Sequence, residues 1–303
     1  MRINETITVE NLGSANVRID KYISDIIKKL TRSQLKTRNA AIWLNGKEVK
    51  LSKTVRNGDE ITIEYDCEPE TSVIPEDIPL DIIYEDENVA IINKAQGMVV
   101  HPAAGNPGGT LANALLYHIS GNNTDFEDDD NRPGIVHRLD KDTSGIIATA
   151  KNINTHEFLS DQFRLKKVRK KYIAAVRGKL PASGGTVDTY LARDRNNRKK
   201  FEVSSGRGKH ALTYYRVIKE FEDFSLVMLE PETGRTHQLR VHMKHLGCPI
   251  IGDPLYSRKN TRFADYTLML HAYLLEIARP GSGLKRFHAP LPERFKKIIR
   301  EYR

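Results

Sequence analysis

The residues best placed to do chemistry lie in Gly134-Ile135-Val136-His137-Arg138-Leu139-Asp140-Lys141-Asp142-Thr143-Ser144-Gly145, and the group that stands out is the Asp140 carboxylate. It follows Arg138 by two residues and shortly precedes Thr143, Ser144 and the turn-permitting Gly145. A carboxylate in such company has four uses: general base, nucleophile, metal ligand or structural cap. Hydrolysis by paired acids needs a partner, and the nearest acid is Asp142, two residues on. His137 with Asp140 is too small a set for a metal. The chain has no HExxH motif, and its two cysteines, Cys67 and Cys248, are far apart. Taken alone, an Asp beside a turn is most often a cap.

Two downstream segments bear on that choice. Val168-Arg169-Lys170-Lys171-Tyr172-Ile173-Ala174-Ala175-Val176 is a basic run entering a strand, with an aromatic at its start. Pro231-Glu232-Thr233-Gly234-Arg235-Thr236-His237-Gln238-Leu239-Arg240-Val241-His242 reads as a turn leading into a cationic helix. Singly, Tyr172 reads as a core or rim aromatic and Arg240 as a surface cation. His237 and His242 read as partners in local hydrogen bonds. With His245 and Asp140, they also leave open a metal-dependent hydrolase.

The elements that must position these groups follow from composition and pattern. A chain of 303 residues, 39% of them hydrophobic, has room for two domains. No stretch approaches the roughly 18 uninterrupted apolar residues of a membrane span. The beginning, MRINETITVENLG, has neither a basic nor an apolar leader region, and with so few cysteines a cytoplasmic setting is expected. The net charge is +9 and unevenly spread. Residues 17–58 hold 11 Lys/Arg against three acids, and 164–179 hold eight with no acid, whereas 81–150 hold 11 acids against four bases. Several basic blocks point to a nucleic-acid partner more than to solvated faces.

The pattern changes near residue 70. Ile19, Tyr22, Ile23, Ile26, Ile27 and Leu30 form one apolar helical stripe. Ser33 is placed to cap a second short helix. Ala41 to Leu44, Val49, Val55 and Ile61 to Ile63 read as strands, with Asn45-Gly46 and Asn57-Gly58-Asp59 as turns. Glu68 to Pro79 is acidic, contains prolines and lacks periodicity. The expected division is 1–70 (core 17–65), a linker at 71–80, and 81–303. Within the last part, Asp81 to Tyr84 and Val89 to Asn93 read as strands and Leu111 to Ile119 as a helix. The glycine-rich loop Gly105 to Gly109 lacks the Gly-Lys-Ser/Thr ending of a phosphate loop and reads as a tight connection. Residues 121–131 read as an exposed loop.

Residues 1–70 resemble the S4 RNA-binding domain, through Arg18-Ile19-Asp20-Lys21-Tyr22, Thr31-Arg32-Ser33-Gln34-Leu35, Leu44-Asn45-Gly46-Lys47 and Asn57-Gly58-Asp59. That resemblance implies RNA-backbone contacts by Arg32, Ser33 and Lys36. It departs at Thr37 to Ala41, where the family usually has an apolar, glycine-ended stretch. The three later segments together resemble the pseudouridine synthases of the large-subunit ribosomal type, the RluA family. HRLDKDTSG is the most specific element and TGRTHQLRVH supports it. Ile92-Asn93-Lys94, Gly97 to Pro102, Gly109-Thr110-Leu111 and Asn113 to Leu116 also match, while Ala95 stands where a proline usually follows the lysine.

The resemblance covers nearly the whole chain. It implies an α+β protein: a small N-terminal α/β S4 domain, then a catalytic domain on a mixed, mostly antiparallel β-sheet flanked by helices. The implied activity isomerises uridine in RNA to its C-glycoside without cofactor or metal. Asp140 is the implied catalytic carboxylate, Arg240 the cation that keeps it ionised, and Tyr172 the ring that stacks on the extracted uracil and helps move the C5 proton. Arg138 would fill the gap left in the RNA stack. Lys170, Lys171 and other bases of 164–171 and 193–209 would hold phosphates. The implied partner is RNA, 23S ribosomal RNA or its assembly intermediates, with transfer RNA the lesser alternative. No membrane partner is implied, and a monomer is expected. Whether Asp140 attacks C6, attacks C1′ or removes the C2′ proton stays open. A binding-only S4 protein with an inactive second domain is the rival, and the presence of Asp140, Tyr172 and Arg240 speaks against it.

Overall fold

In Glu60–Asp66 the inward Ile61, Ile63 and Tyr65 alternate with polar residues, the period-two pattern of a sheet with one wet face. The structure, a computed structural model, describes residues 2–12, 16–27, 29–30, 32–66, 73–103, 105–119, 126, 133–257 and 261–302, without the side chains of Ser33, Thr37 and Thr261. The loop read at 121–131, apart from Phe126, and the boundary stretch 67–72 lie outside the described residues. The chain separates into two compact units, Met1–Thr71 and Ser72–Arg303.

The first unit runs β1 (Arg2–Thr8), β2 (Val17–Arg18), α1 (Ile19–Lys21), α2 (Arg32–Thr37), β3 (Ala41–Leu44), β4 (Lys47–Val49), β5 (Thr54–Val55) and β6 (Glu60–Asp66). Its sheet has the order β1-β6-β3-β4, with β2 and β5 paired separately. Ile19, Tyr22, Ile23, Leu35, Ile42 and Val55 pack beneath it. The helix read over 19–30 differs from expectation. After α1 it widens into a π-type turn over Tyr22–Ile26, with the Ile27 N–H donating to the Tyr22 carbonyl. The wider turn carries Ile26 out to 44% exposure while Leu30 stays buried. The second helix begins at Arg32, so Ser33 lies within its first turn instead of capping it. Asn39 then closes the helix in the left-handed region at φ 47°.

The second unit opens with β7 (Ile82–Glu85), β8 (Val89–Lys94), α3 (Leu111–Ile119), β9 (Ser144–Ala150), α4 (Ile153–Arg164) and β10 (Arg169–Arg177). It continues through β11 (Gly184–Arg193), β12 (Phe201–Ser204), β13 (Lys209–Glu220), β14 (Phe224–Pro231) and α5 (Gln238–His245). β15 (Leu270–Arg279), β16 (Gly283–His288) and α6 (Glu293–Glu301) complete it. The ten strands form one sheet in the order β12-β11-β13-β14-β10-β15-β9-β8-β7, with β16 added on β15. Every ladder in it is antiparallel except β9 on β15. β9 is buried at all seven positions, as its near-continuous apolar run requires.

Two local readings are resolved here. Over 73–80 the expected linker belongs to the second unit: Val73 is buried, the Ile74 carbonyl accepts from Asn113 Nδ2, and Glu76 accepts from the Gly109 N–H. That same Glu76 carboxylate occupies the donor a phosphate would need at the glycine-rich loop. Thr110 and Asn113 bond each other at the start of α3, so the loop is a helix-entry connection.

Candidate active site

The loop carrying Asp140 is held from both ends. At its end, Gly145 has φ 114°, and a Cβ there would sit 2.2 Å from the Ala272 carbonyl oxygen, so only glycine lets β9 meet β15 in parallel. Ser144 Oγ bonds His271 Nδ1 at 2.9 Å. Lys94, 1% exposed, donates to the carbonyls of Ala95, Met98 and Lys141, which ties the residue after Asp140 to the end of β8. Burial lowers the Lys94 pKa to about 8, although Asp142 and Asp140 pull the other way. His137 turns inward. Its Nε2 accepts the Ala148 N–H at 2.9 Å, its ring stacks on Phe163, and burial, then Lys170, lowers its pKa to about 3.

Arg240 comes from α5, whose entry is welded to β13 by the motif's own side chains. Thr233 Oγ1 accepts from the Leu212 N–H and donates to Gln238 Oε1, while Gln238 Nε2 donates to the Leu212 carbonyl and Thr213 Oγ1. His242 bonds Thr213 and Thr189 through its two ring nitrogens, and burial, then His245, lowers its pKa to about 4. So placed, Arg240 reaches Asp140: Nη1 donates to Oδ2 at 3.1 Å. Its other donors, Nε and Nη2, grip Asp253 at 2.7 and 2.8 Å in a bidentate pair. Burial works against this cation, but the hydrogen bonds and charge of Asp253, then Asp140, outweigh it and raise its pKa.

Asp140 and Arg240 open onto a cleft of about 520 Å³, within the usual range for small-ligand pockets. Tyr172, Lys170, Arg138, His237 and Thr236 line it. Tyr172 sits where the β10–β15 register skips Tyr273, a local irregularity of the kind that re-aims side chains near sites. Burial, then the Asp140 charge, pushes the Tyr172 pKa upward, so it is a neutral phenol. Lys170 also faces the cleft, over the Phe163 ring, and burial lowers its pKa against the pull of Glu232. Lys171 lies one residue on and points to the other face of the sheet, near Glu230 at 3.7 Å. Arg138 is exposed at the rim, without an ion pair among the described residues.

In the first unit, Arg32 is 3.7 Å from Asp20, and Lys36 is exposed one turn along α2. The Ser33 side chain lies outside the described residues. The hydrolase alternative fails on placement. His242 has both nitrogens engaged by threonines and His245 is exposed on α5, so they do not join Asp140.

Asp253 is the residue sequence reasoning missed. Its signal is faint: it is the only charge between Gly247 and Ser257, in a Gly-Asp-Pro turn. Gly252 has φ 70° and its Cβ would lie 2.1 Å from the Thr267 carbonyl, so the turn is tightly wedged. Tyr256, three residues after Asp253, was missed as well. Its ring lies 5.1 Å from the Arg240 guanidinium carbon, and its hydroxyl bonds His237 Nδ1.

Comparison with known proteins gives the chain's family. The RNA pseudouridylate synthase family matches residues 88–245, a span holding Asp140, Tyr172 and Arg240. The chain is 46% identical to "Ribosomal large subunit pseudouridine synthase D" of Borreliella burgdorferi, over 97% of this chain and 91% of that one. It is 36% identical to the Escherichia coli K12 protein of the same name, over 99% and 94%. In three dimensions it is similar to human RNA pseudouridylate synthase domain containing 4, with TM-score 0.59 and 26% identity, covering 72% of this chain and 91% of that one. The chain belongs to the RNA pseudouridylate synthase family, in its RluA branch. It is an isomerase that converts uridine to pseudouridine. No helix among its described residues is long and apolar enough to cross a membrane.

Proposed function

We propose that this chain isomerises particular uridines of large-subunit ribosomal RNA, with Asp140 as the catalytic carboxylate. The observation that carries the reading is the Arg240–Asp140 ion pair at 3.1 Å, opening onto a cleft shared with Tyr172. The relatives named for the ribosomal large subunit support the substrate class. The reaction breaks the N1–C1′ bond and joins C5 to C1′. The C5 proton leaves and N1 ends protonated, so the change is a balanced isomerisation.

Each proposed role for Asp140 starts from the carboxylate anion, and Arg240, locked by Asp253, is a fixed cation beside it. A stacked base cannot reach this cleft, so the uridine flips into it at a cost of about a few kcal/mol. Tyr172 offers its ring for stacking, and its neutral hydroxyl stands ready to pass on the C5 proton. Arg138, exposed at the rim, fills the gap in the RNA stack. Lys170 holds a phosphate or base oxygen inside the cleft, whereas Lys171 meets RNA only outside it. Residues 1–70 act as an S4 domain that gives a second, salt-sensitive grip through Arg32, Ser33 and Lys36. The protein works as a cytoplasmic monomer on 23S RNA or its assembly intermediates.

The test is pseudouridine mapping of ribosomal RNA from cells lacking this gene, complemented with wild type or Asp140→Asn. Sites should vanish with the deletion and return only with wild type. Unchanged sites would refute the substrate, and rescue by Asp140→Asn would refute the role of Asp140.

A further inference from the structure

His237 stands at the entry to α5 with φ 57° and ψ 14°, the left-handed region that is uncommon for residues other than glycine. Its ring is held edge-on between Phe201 and Tyr256. The hydrogen bonds around Tyr256 decide which nitrogen carries the proton. The Tyr256 hydroxyl accepts the Phe201 N–H at 2.8 Å and lies 2.8 Å from His237 Nδ1. Among the described residues these are its only partners, so its proton goes to Nδ1. The proton of neutral His237 is therefore on Nε2, which faces the cleft 3.9 Å from Asp140 Oδ2.

The charged groups around the ring are Asp140, Arg240, Asp253 and Arg138, and burial keeps His237 neutral against the pull of Asp140. Arg240 donates to that same Oδ2, and among the described residues Oδ1 of Asp140 accepts no hydrogen bond.

We propose that His237 is a positioning residue for Asp140: its Nε2–H closes on Oδ2 beside Arg240 when uridine fills the cleft, leaving Oδ1 as the oxygen that reacts. Tyr256, outside the cleft, sets the tautomer that makes this possible. The inference rests on Asp140 being the catalytic carboxylate.

The test uses the full chain with His237→Asn, His237→Gln, Tyr256→Phe and Asp140→Asn, each checked for folding by thermal melting. Asn tolerates the left-handed backbone and reaches only as far as Nδ1, whereas the Gln amide reaches the place of Nε2. His237→Asn should lower kcat about 10- to 100-fold with KM within about twofold, and His237→Gln should recover most of the loss. Tyr256→Phe should lower kcat by a smaller factor, because the tautomer is no longer fixed. A folded His237→Asn at wild-type kcat, or a folded Gln variant as slow as the Asn one, overturns the proposal. If the His237 variants do not fold, an unchanged kcat in Tyr256→Phe overturns it. An active Asp140→Asn would instead remove the underlying assignment of Asp140, while an inactive one beside a fully active His237→Asn sinks only the role of His237.

Discussion

Replacing Asp253 by Asn is expected to lower stability and turnover together. The Asp253 side chain is 0% exposed and that of Arg240 is 4%. Asp253 accepts Nε at 2.7 Å and Nη2 at 2.8 Å from Arg240, and the N–H groups of Leu255 and Tyr256 at 2.9 and 3.0 Å. Asn supplies one acceptor oxygen where the carboxylate supplies two, and its amide group has to face another donor. Breaking a buried pair of this kind costs about 3–5 kcal/mol. Asp140 stays beside Arg240 as a second anion, at 22% side-chain exposure, which reduces the expected loss. We expect about 2–4 kcal/mol, which lowers the melting midpoint by about 5–15 °C in a unit of this size. Freed from its bidentate anchor, the guanidinium drifts from Asp140, and a displacement of about 1 Å at a reacting centre costs up to about 100-fold in rate. The assay is release of tritium from RNA carrying 5-tritiated uridine, since the C5–H bond breaks when C5 joins C1′. It is run well below the variant's melting midpoint. An Asp253→Asn protein that melts and turns over like wild type would refute the idea that Asp253 anchors Arg240.

Acid should destabilise the second unit through its buried neutral histidines. His242 and His271 are both 0% exposed, and burial holds each near a pKa of about 4, below the unfolded value of about 6.5. Their contribution is complete above pH 6.5 and is lost as the pH falls toward 4, on the order of 2 kcal/mol each by pH 5. Denaturant titrations at pH 7 and pH 5 that give the same stability would contradict this. Gly145→Ala should cost more than about 3 kcal/mol, because the new Cβ meets the Ala272 carbonyl at 2.2 Å. Gly247→Ala, at φ 78° with nothing within 4 Å, should cost only about 1–2 kcal/mol of backbone strain, and melting curves compare the two directly. Arg138→Ala should raise KM for RNA and flatten its salt dependence while leaving the melting midpoint unchanged; an unaltered KM would show that the rim arginine does not meet RNA.

What could be read from the sequence alone was local. Ala41 to Leu44 and Leu111 to Ile119 fall on their elements because periodicity and flanking turn residues act within a few positions. Asp140, Tyr172 and Arg240 were singled out through the resemblance of their motifs to those of a family, and the fold brings the three to one cleft. The π-type turn at Tyr22–Ile26 was not legible, since an apolar stripe fits a wide turn as well as a regular one. The orientation of Lys171 needed the strand register, where neighbouring residues take opposite faces. Only the tertiary structure decided that residue 253 anchors residue 240, and residue 240 in turn residue 140. These side chains come from separate loops and a helix, and they meet because β9 joins β15 in parallel while α5 is bound to β13. Pairings at that separation depend on the summed packing of the sheet, which no local stretch of sequence encodes.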